Sequence, residues 1–462
     1  MGRLVRLVAV VAAAFAFASS AQAKPLLGIT GDLPRFTTLT GQDSTVHQAF
    51  LGWGQGLSYG SSFTTLFGTL GPIPMIHLNT GLGSSKKEAI TPAKIAAGAG
   101  DGYLFALNQA ISQWGGGIYV RPMAEMNNYI NLWSGFTKSG AAKAGHSPAD
   151  YRKAFARIYL ILHGGSAATI NAKLKSLGLP GIAKDLPSNP FPRLRIVWAP
   201  VAGGNPRIPA NQPQNYYPGK AYVDVDGGDI FEETLGDTAP WNALEDLYKS
   251  SIEHGKPFSI PEWGLFGVDD DTFTTHMCTF LKTHARTEEA GFFESKAGTI
   301  FDLQPKPKSR AVYSTCITPL GAAVPSWARA SGGGTKQTGP SITFTLAGQV
   351  VGSPVSAPFG ADELEVNIAP ATGVIGSAFW IRAGKSMGPM NFPPGATGLA
   401  FSTTPGGAAP TPIVRPRAGT DFHVKWSSSG TITSAWWTRV GKLLAQIPVT
   451  AGQTSIAMTQ GP

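Results

Sequence analysis

The sequence predicts a (β/α)8 TIM barrel followed by a small all-β sandwich, and three observations carry that reading. Short apolar runs alternate with helix-like segments through roughly the first 300 residues, the pattern of parallel strands joined by crossover helices. A stretch rich in glycine, proline and serine, residues 322–341, then interrupts the pattern and reads as a linker. Beyond it charge thins out, and β-rich runs are separated by Gly, Pro, Ser and Thr clusters at sandwich spacing.

Eight runs supply the barrel strands: residues 26–29, 50–53, 73–78, 118–122, 195–200, 223–230, 257–261 and 299–303. Between them, residues 103–114, 151–162 and 241–254 read as helices. The second of these has a clear start signal, with Ser147 as N-cap, Pro148 at the first position and Asp150 three residues on. In the sandwich the expected strands are 342–346, 364–368, 378–381, 422–426 and 436–440. The implied division is a signal peptide at 1–23, a catalytic barrel at 24–321, the linker, and an accessory sandwich at 342–462.

Composition narrows the function. The chain has 462 residues, 42% apolar and 14% charged, enough apolar material for a sizeable core and too little charge for a disordered chain. Arg3 and Arg6 precede an apolar run, and Ala21-Gln22-Ala23 is a small-x-small cleavage signal, so the first 23 residues read as an export leader. The formal charge of +9 loses two arginines with that leader. No later segment is apolar enough to span a membrane, and Lys and Arg are dispersed rather than clustered, which argues against nucleic acid. The expected product is periplasmic or secreted and monomeric, with no cofactor. Cys278 and Cys316 form an even pair that suggests one disulfide in an oxidising compartment; two separate buried thiols are the alternative.

In such a barrel, polar residues at the C-terminal ends of strands form the active site. Two strand ends stand out, Arg121-Pro122-Met123-Ala124-Glu125-Met126-Asn127-Asn128 and Pro257-Phe258-Ser259-Ile260-Pro261-Glu262-Trp263. If these are the fourth and seventh strands, Glu125 and Glu262 face one another across the barrel mouth. Two facing carboxyls are the equipment for glycoside hydrolysis, one donating a proton and the other attacking the anomeric carbon or activating water. The plainer alternative is that either Glu pairs with a basic residue such as Arg121. Around them Arg121, Asn127, Trp133, Trp198 and Trp263 are candidate substrate-binding residues; each Trp taken singly reads more readily as core than as sugar platform, with Trp263 the foremost platform candidate, and Asn127 reads equally as a cap of the loop after Glu125. Trp53 and His77 are weaker candidates, His77 reading better as a structural histidine. Trp380, Trp426, Trp436 and Trp437 could form a carbohydrate-binding face on the sandwich or simply its core. Asp269-Asp270-Asp271 lacks the alternating ligands of a calcium loop and reads as a turn.

The barrel resembles glycoside hydrolase family 26, the mannanase-like family of retaining (β/α)8 glycosidases. The segment from Arg121 to Asn128, with Trp133 beyond, is similar to the family's Arg-Pro-x-His-Glu-Met-Asn-Gly…Trp. Val197-Trp198-Ala199-Pro200 resembles its Val-Trp-x-Pro strand. Tyr216-Tyr217-Pro218-Gly219, Tyr222-Val223-Asp224 and Gly228-Asp229 follow in order, then Lys256-Pro257 leading to Glu262. The resemblance implies Glu125 as acid/base, Glu262 as nucleophile and a polysaccharide substrate such as a β-mannan. Ala124 stands where the family has His, and Phe231 where many related barrels place a Tyr that orients the nucleophile. Both departures bear on substrate more than on reaction type. The rivals are hydrolysis of a bacterial, acidic exopolysaccharide, a catalytically silent glycan-binding protein, and a purely structural envelope protein.

Overall fold

The computed structural model describes residues 24–83, 87–329, 341–346, 349–356, 362–368, 374–382, 385–390, 393–403, 413–414, 421–427, 431–439, 441–451 and 453–459. The leader expected at 1–23 and the Ser331–Gly334 run of the linker lie outside them.

Nine strands pair in parallel: β1 (Leu26–Gly31), β2 (Val46–Leu51), β3 (Ile73–Leu78), β4 (Ile118–Pro122), β5 (Leu194–Trp198), β6 (Val225–Gly227), β7 (Ile230–Glu232), β8 (Phe258–Leu265) and β9 (Thr287–Ser295). β6 and β7 are two halves of the sixth strand, since both pair with β8. Pairing of β1 with β9 closes the ring, giving a closed eight-stranded parallel barrel. Helices α1 (Leu33–Thr40), α2 (Phe63–Thr69), α3 (Pro92–Ala96), α4 (Asp101–Trp114), α5 (Pro148–His163), α6 (Ala167–Ser176), α7 (Ala239–His254), α8 (Asp271–Thr283) and α9 (Pro307–Val312) lie between and after the strands. Strands enclosed on both faces are buried along their whole length, as β3 and β5 are, and are apolar but for His77 and Arg195. Val46, Ile73, Met75, Tyr119, Val197 and Val225 fill the barrel's interior, and Ile76, Leu78, Val120 and Ile196 face the helices. At α5 the Ser147 hydroxyl accepts from the Asp150 backbone and the Asp150 carboxylate accepts from the Ser147 backbone, the reciprocal cap expected there.

Two strands differ from the sequence reading. The second runs Val46–Leu51 rather than 50–53, because His47 and Gln48 broke the apolar pattern. The eighth is Thr287–Ser295, whereas 299–303 is a turn; Glu288 and Glu289 made the true strand look polar. Residues 322–329, the start of the stretch read as a linker, pack under the barrel. The Ala322 backbone donates to Pro25 O (2.9 Å), Gly117 donates to Ala328 O (2.8 Å), and the Arg195 guanidinium lies 3.7 Å from the Trp327 ring centre. A Cβ on Gly117 would stand 2.6–2.7 Å from Trp327 and Ala328, so glycine is what lets this segment approach. Cys278 of α8 and Cys316 are joined in a disulfide.

The C-terminal strands form a five-stranded and a six-stranded sheet, antiparallel but for one pairing. Ile342, Phe344 and Phe401 of one sheet share a core with Leu364, Phe422 and Trp437 of the other, a sandwich-like arrangement. Trp380, Trp426 and Trp437 belong to that core; only Trp436 turns outward, stacked on His423 at 5.0 Å.

Candidate active site

Both acidic strand ends arrive at the same mouth of the barrel. Past β4 the chain turns through Met123 and Glu125, each with left-handed backbone, φ 50° and 51°. Non-glycine residues stay there only when surroundings hold them. Here the Glu125 backbone N donates to Ala199 O (2.7 Å), Asn131 Nδ2 donates to Glu125 O (3.0 Å), and Trp133 Nε1 donates to Ala124 O (2.8 Å). The Glu125 carboxylate accepts at Oε2 from Asn128 Nδ2 (3.1 Å) and Asn131 Nδ2 (3.3 Å).

Glu262 sits within β8 on the inward side. Its Oε1 accepts from Arg121 Nη1 (2.6 Å) and Gln48 Nε2 (2.9 Å), and its backbone N donates to Asp229 Oδ1 (3.0 Å). Arg121 also donates to Gln48 Oε1 (2.5 Å) and, through Nη2, to Asp229 Oδ2. One oxygen from each of Glu125, Asp229 and Glu262 lies within 4.8 Å of the others. Arg121 donates to two of these three carboxylates, Asp229 and Glu262, and sets a positive charge beside them.

The two glutamates are driven apart in proton affinity. Burial, reinforced by the negative charge of Glu262, pushes the Glu125 carboxyl up to about 7, against the opposing pull of Asn128 and Arg121. Burial also acts to raise Glu262, but the Arg121 guanidinium overrides it and holds that carboxyl down to about 2. His77 Nδ1 stands 3.7 Å from Glu262 Oε1, beyond hydrogen-bond reach, and burial lowers its own affinity for a proton, so Arg121 does the holding. Asp229 is pushed up by burial against the pull of Arg121. At neutral pH the pair comprises an ionised Glu262 and a Glu125 able to hold a proton. A cavity of about 400 Å3 opens beside Glu125 and Asp229, lined also by Asn128, Asn205, Arg207, Phe231 and Glu233.

Of the residues singled out in the sequence, Glu125 and Glu262 come together. Arg121 is wholly enclosed, with its guanidinium turned to Glu262 and Asp229. Asn127 is also enclosed, its amide exchanging hydrogen bonds with the Val201 backbone to tie two loops together. Trp263 is 1% exposed and stacks on Tyr313 at 5.6 Å; because Glu262 points inward, the pleat sends Trp263 out among the helices. Trp198 likewise faces outward and lines a separate cavity of about 550 Å3 with Tyr217 and His254. Trp133 is buried beside His77, at 5.5 Å, and braces the Glu125 turn. Gln48, Asn131 and the role of Asp229 were missed. A polar residue inside an otherwise apolar strand was the available signal for Gln48.

No family model matches the chain, and no curated protein matches it. The chain is similar to solved structures at low identity. A Bacillus subtilis mannanase is 16% identical over 64% of this chain and 86% of that one, with a TM-score of 0.41. A Bacteroides ovatus β-mannanase of glycoside hydrolase family 26 is 13% identical over 64% and 88%, TM-score 0.42. A modular endo-β-1,4-mannanase from Cellulomonas fimi is 14% identical over 95% and 94%, TM-score 0.43.

Proposed function

We propose that the protein is an exported, monomeric, retaining glycoside hydrolase that cleaves a β-linked polysaccharide through Glu125 and Glu262. The observation that carries this reading is the close approach of two carboxyls whose proton affinities are driven apart, Glu125 of the pair lining a ligand-sized cavity. Retaining enzymes hold their carboxyls about 5–5.5 Å apart, and inverting ones about 6.5–9.5 Å to admit a water between them. One oxygen of Glu125 and one of Glu262 lie within 4.8 Å of each other, an approach that supports the retaining class. In the first step Glu125 gives its proton to the glycosidic oxygen while Glu262 attacks the anomeric carbon; the glycosyl–oxygen bond breaks and a glycosyl ester of Glu262 forms. In the second, Glu125 takes a proton from water, whose oxygen displaces Glu262 and restores both groups.

Export is supported by the leader-like first 23 residues and by the disulfide. No helix among the described residues is long and apolar enough to cross a membrane. A catalytically silent glycan-binding protein is the second reading, favoured by Ala124, which places a methyl group where the family resemblance has a hydrogen-bond donor beside the acid/base.

The test is a panel of β-mannans, β-glucans, xylans and exopolysaccharides, scored by new reducing ends and by NMR of the first anomer released. Glu125→Gln and Glu262→Ala each reduce hydrolysis by several orders of magnitude. Activity within a few-fold of wild type in either variant refutes the assignment, and binding without new reducing ends selects the silent reading.

A further inference from the structure

A second cavity lies on the outer wall of the barrel, between the loop that follows β5 and one face of α7. Its volume is about 550 Å3, within the range of small-molecule sites. Trp198, at the end of β5, and Tyr217 supply aromatic wall, and Gln214 supplies an amide. Asp246, Ser250 and Glu253, which share one face of α7, supply carboxylate and hydroxyl oxygens. The Tyr217 ring is held in place: it stacks on His254 at 4.0 Å, and His254 Nδ1 lies 2.5 Å from Asp226 Oδ2. This cavity adjoins the one beside Glu125. Ala202 and Gly204 line the Glu125 cavity, and Gly203 between them lines the second. On α7, Pro240 belongs to the first and Ala243 to the second, about 4.5 Å further along the helix.

The lining limits what can bind there. The Trp198 indole is 3% exposed, and its Nε1–H has no hydrogen-bond partner among the described residues, so the wall holds a donor in want of an acceptor. An ammonium group has no lone pair to offer it. Asp246 and Glu253 make the opposite demand: they accept, and they repel an anion. Among the described residues no lysine or arginine lines the cavity to offset them. Lys249, 3.7 Å from Asp246, stands out in solvent beyond the lining, an exposed pair of little strength. A hydroxyl both donates and accepts, and the rings offer apolar area to C–H groups. A neutral sugar meets all of these conditions.

From this geometry we infer that the cavity of Trp198 is a distal sugar-binding site, which holds a neutral residue of the polysaccharide while the chain is cut at Glu125 and Glu262. The inference rests on the glycosidase reading and narrows its substrate to a chain long enough to reach both cavities. The indole N–H signals of the whole protein, followed by NMR, test it apart from turnover, with Trp198→Phe identifying the Trp198 signal. Neutral manno-, cello- and xylo-oligosaccharides move that signal in Glu125→Gln, and Glu253→Ala, at an exposed position, weakens their binding about tenfold. In the active protein Glu253→Ala raises KM for the polymer far more than KM for an aryl disaccharide too short to span both cavities. A Trp198 signal that no neutral sugar moves overturns the inference, as does one moved by tetramethylammonium or galacturonate instead. Sugar binding that Glu253→Ala leaves unchanged also overturns it, and so does an equal effect on the long and the short substrate. Sugar binding at Trp198 with no hydrolysis anywhere on the polysaccharide panel removes the glycosidase reading instead. Hydrolysis with an unmoved Trp198 signal removes only the distal site.

Discussion

Arg121 donates from Nη1 to Glu262 Oε1 at 2.6 Å while its Nη2 holds Asp229, so a single enclosed guanidinium orients both carboxylates. Removing it leaves buried acids without compensation, a loss of about 3–5 kcal/mol. Arg121→Gln therefore unfolds at lower denaturant and loses kcat more than it raises KM. Arg121→Lys keeps the charge but not the two-pronged geometry and falls between the two. Equilibrium unfolding at pH 7 and steady-state kinetics measure both effects.

The pH dependence has a defined sign. The proposed mechanism needs Glu262 ionised and Glu125 protonated, so kcat/KM falls above about pH 7 and stays high below it until Glu262 takes up a proton near about 2. Asn128 donates to the ionised form of Glu125, and Asn128→Ala therefore moves the alkaline limb to higher pH. A limb that stays in place or moves down removes Glu125 as the proton donor.

Stability follows the same two groups in opposite senses. Glu262, held low when folded, contributes stability that is full above its unfolded value of about 4.3 and is lost as pH falls toward about 2. Glu125, held high, costs stability as pH rises from that unfolded value through about 7. Thermal unfolding of Glu125→Gln against the wild type isolates the second effect. The variant gains on the wild type as pH rises over that window.

Trp263 separates a packing role from a sugar-binding one. Trp263→Ala costs about 3–5 kcal/mol through the cavity it leaves against Tyr313 and Phe292. Trp263→Phe lowers the melting temperature while KM stays within about twofold, because the ring is enclosed among the helices. A tenfold rise in KM with unchanged stability refutes the packing assignment.

The disulfide closes a loop with a sequence separation of 38, running from α8 to the turn that carries Tyr313. Replacing Cys278 and Cys316 by serine costs about 3 kcal/mol, and the melting temperature falls by about 6–12 °C. Differential scanning calorimetry reads the change directly.

The residues legible in the sequence were those obeying one rule at a time. Glu125 and Glu262 stood out because each ends or interrupts an apolar strand, and Ser147 and Asp150 because a cap is a local device. The strands misplaced in the sequence were those bearing charge or polarity inside the barrel. Gln48 hid β2 and Glu289 hid β9, since a side chain that serves the interior breaks the very pattern by which a strand is recognised. The enclosure of Trp263 was hard to read for a different reason. Its neighbour Glu262 fixes which way it points, and that parity is a property of the pleat rather than of the tryptophan.

The segment carrying Trp327 and Ala328 has a practical bearing on dissecting the chain. A cut at the compositional boundary, after Gly321, would strip the plug from the underside of the barrel and expose Tyr119 and Arg195 to water. The self-sufficient piece ends no earlier than Arg329, and limited proteolysis between the two halves should respect that edge.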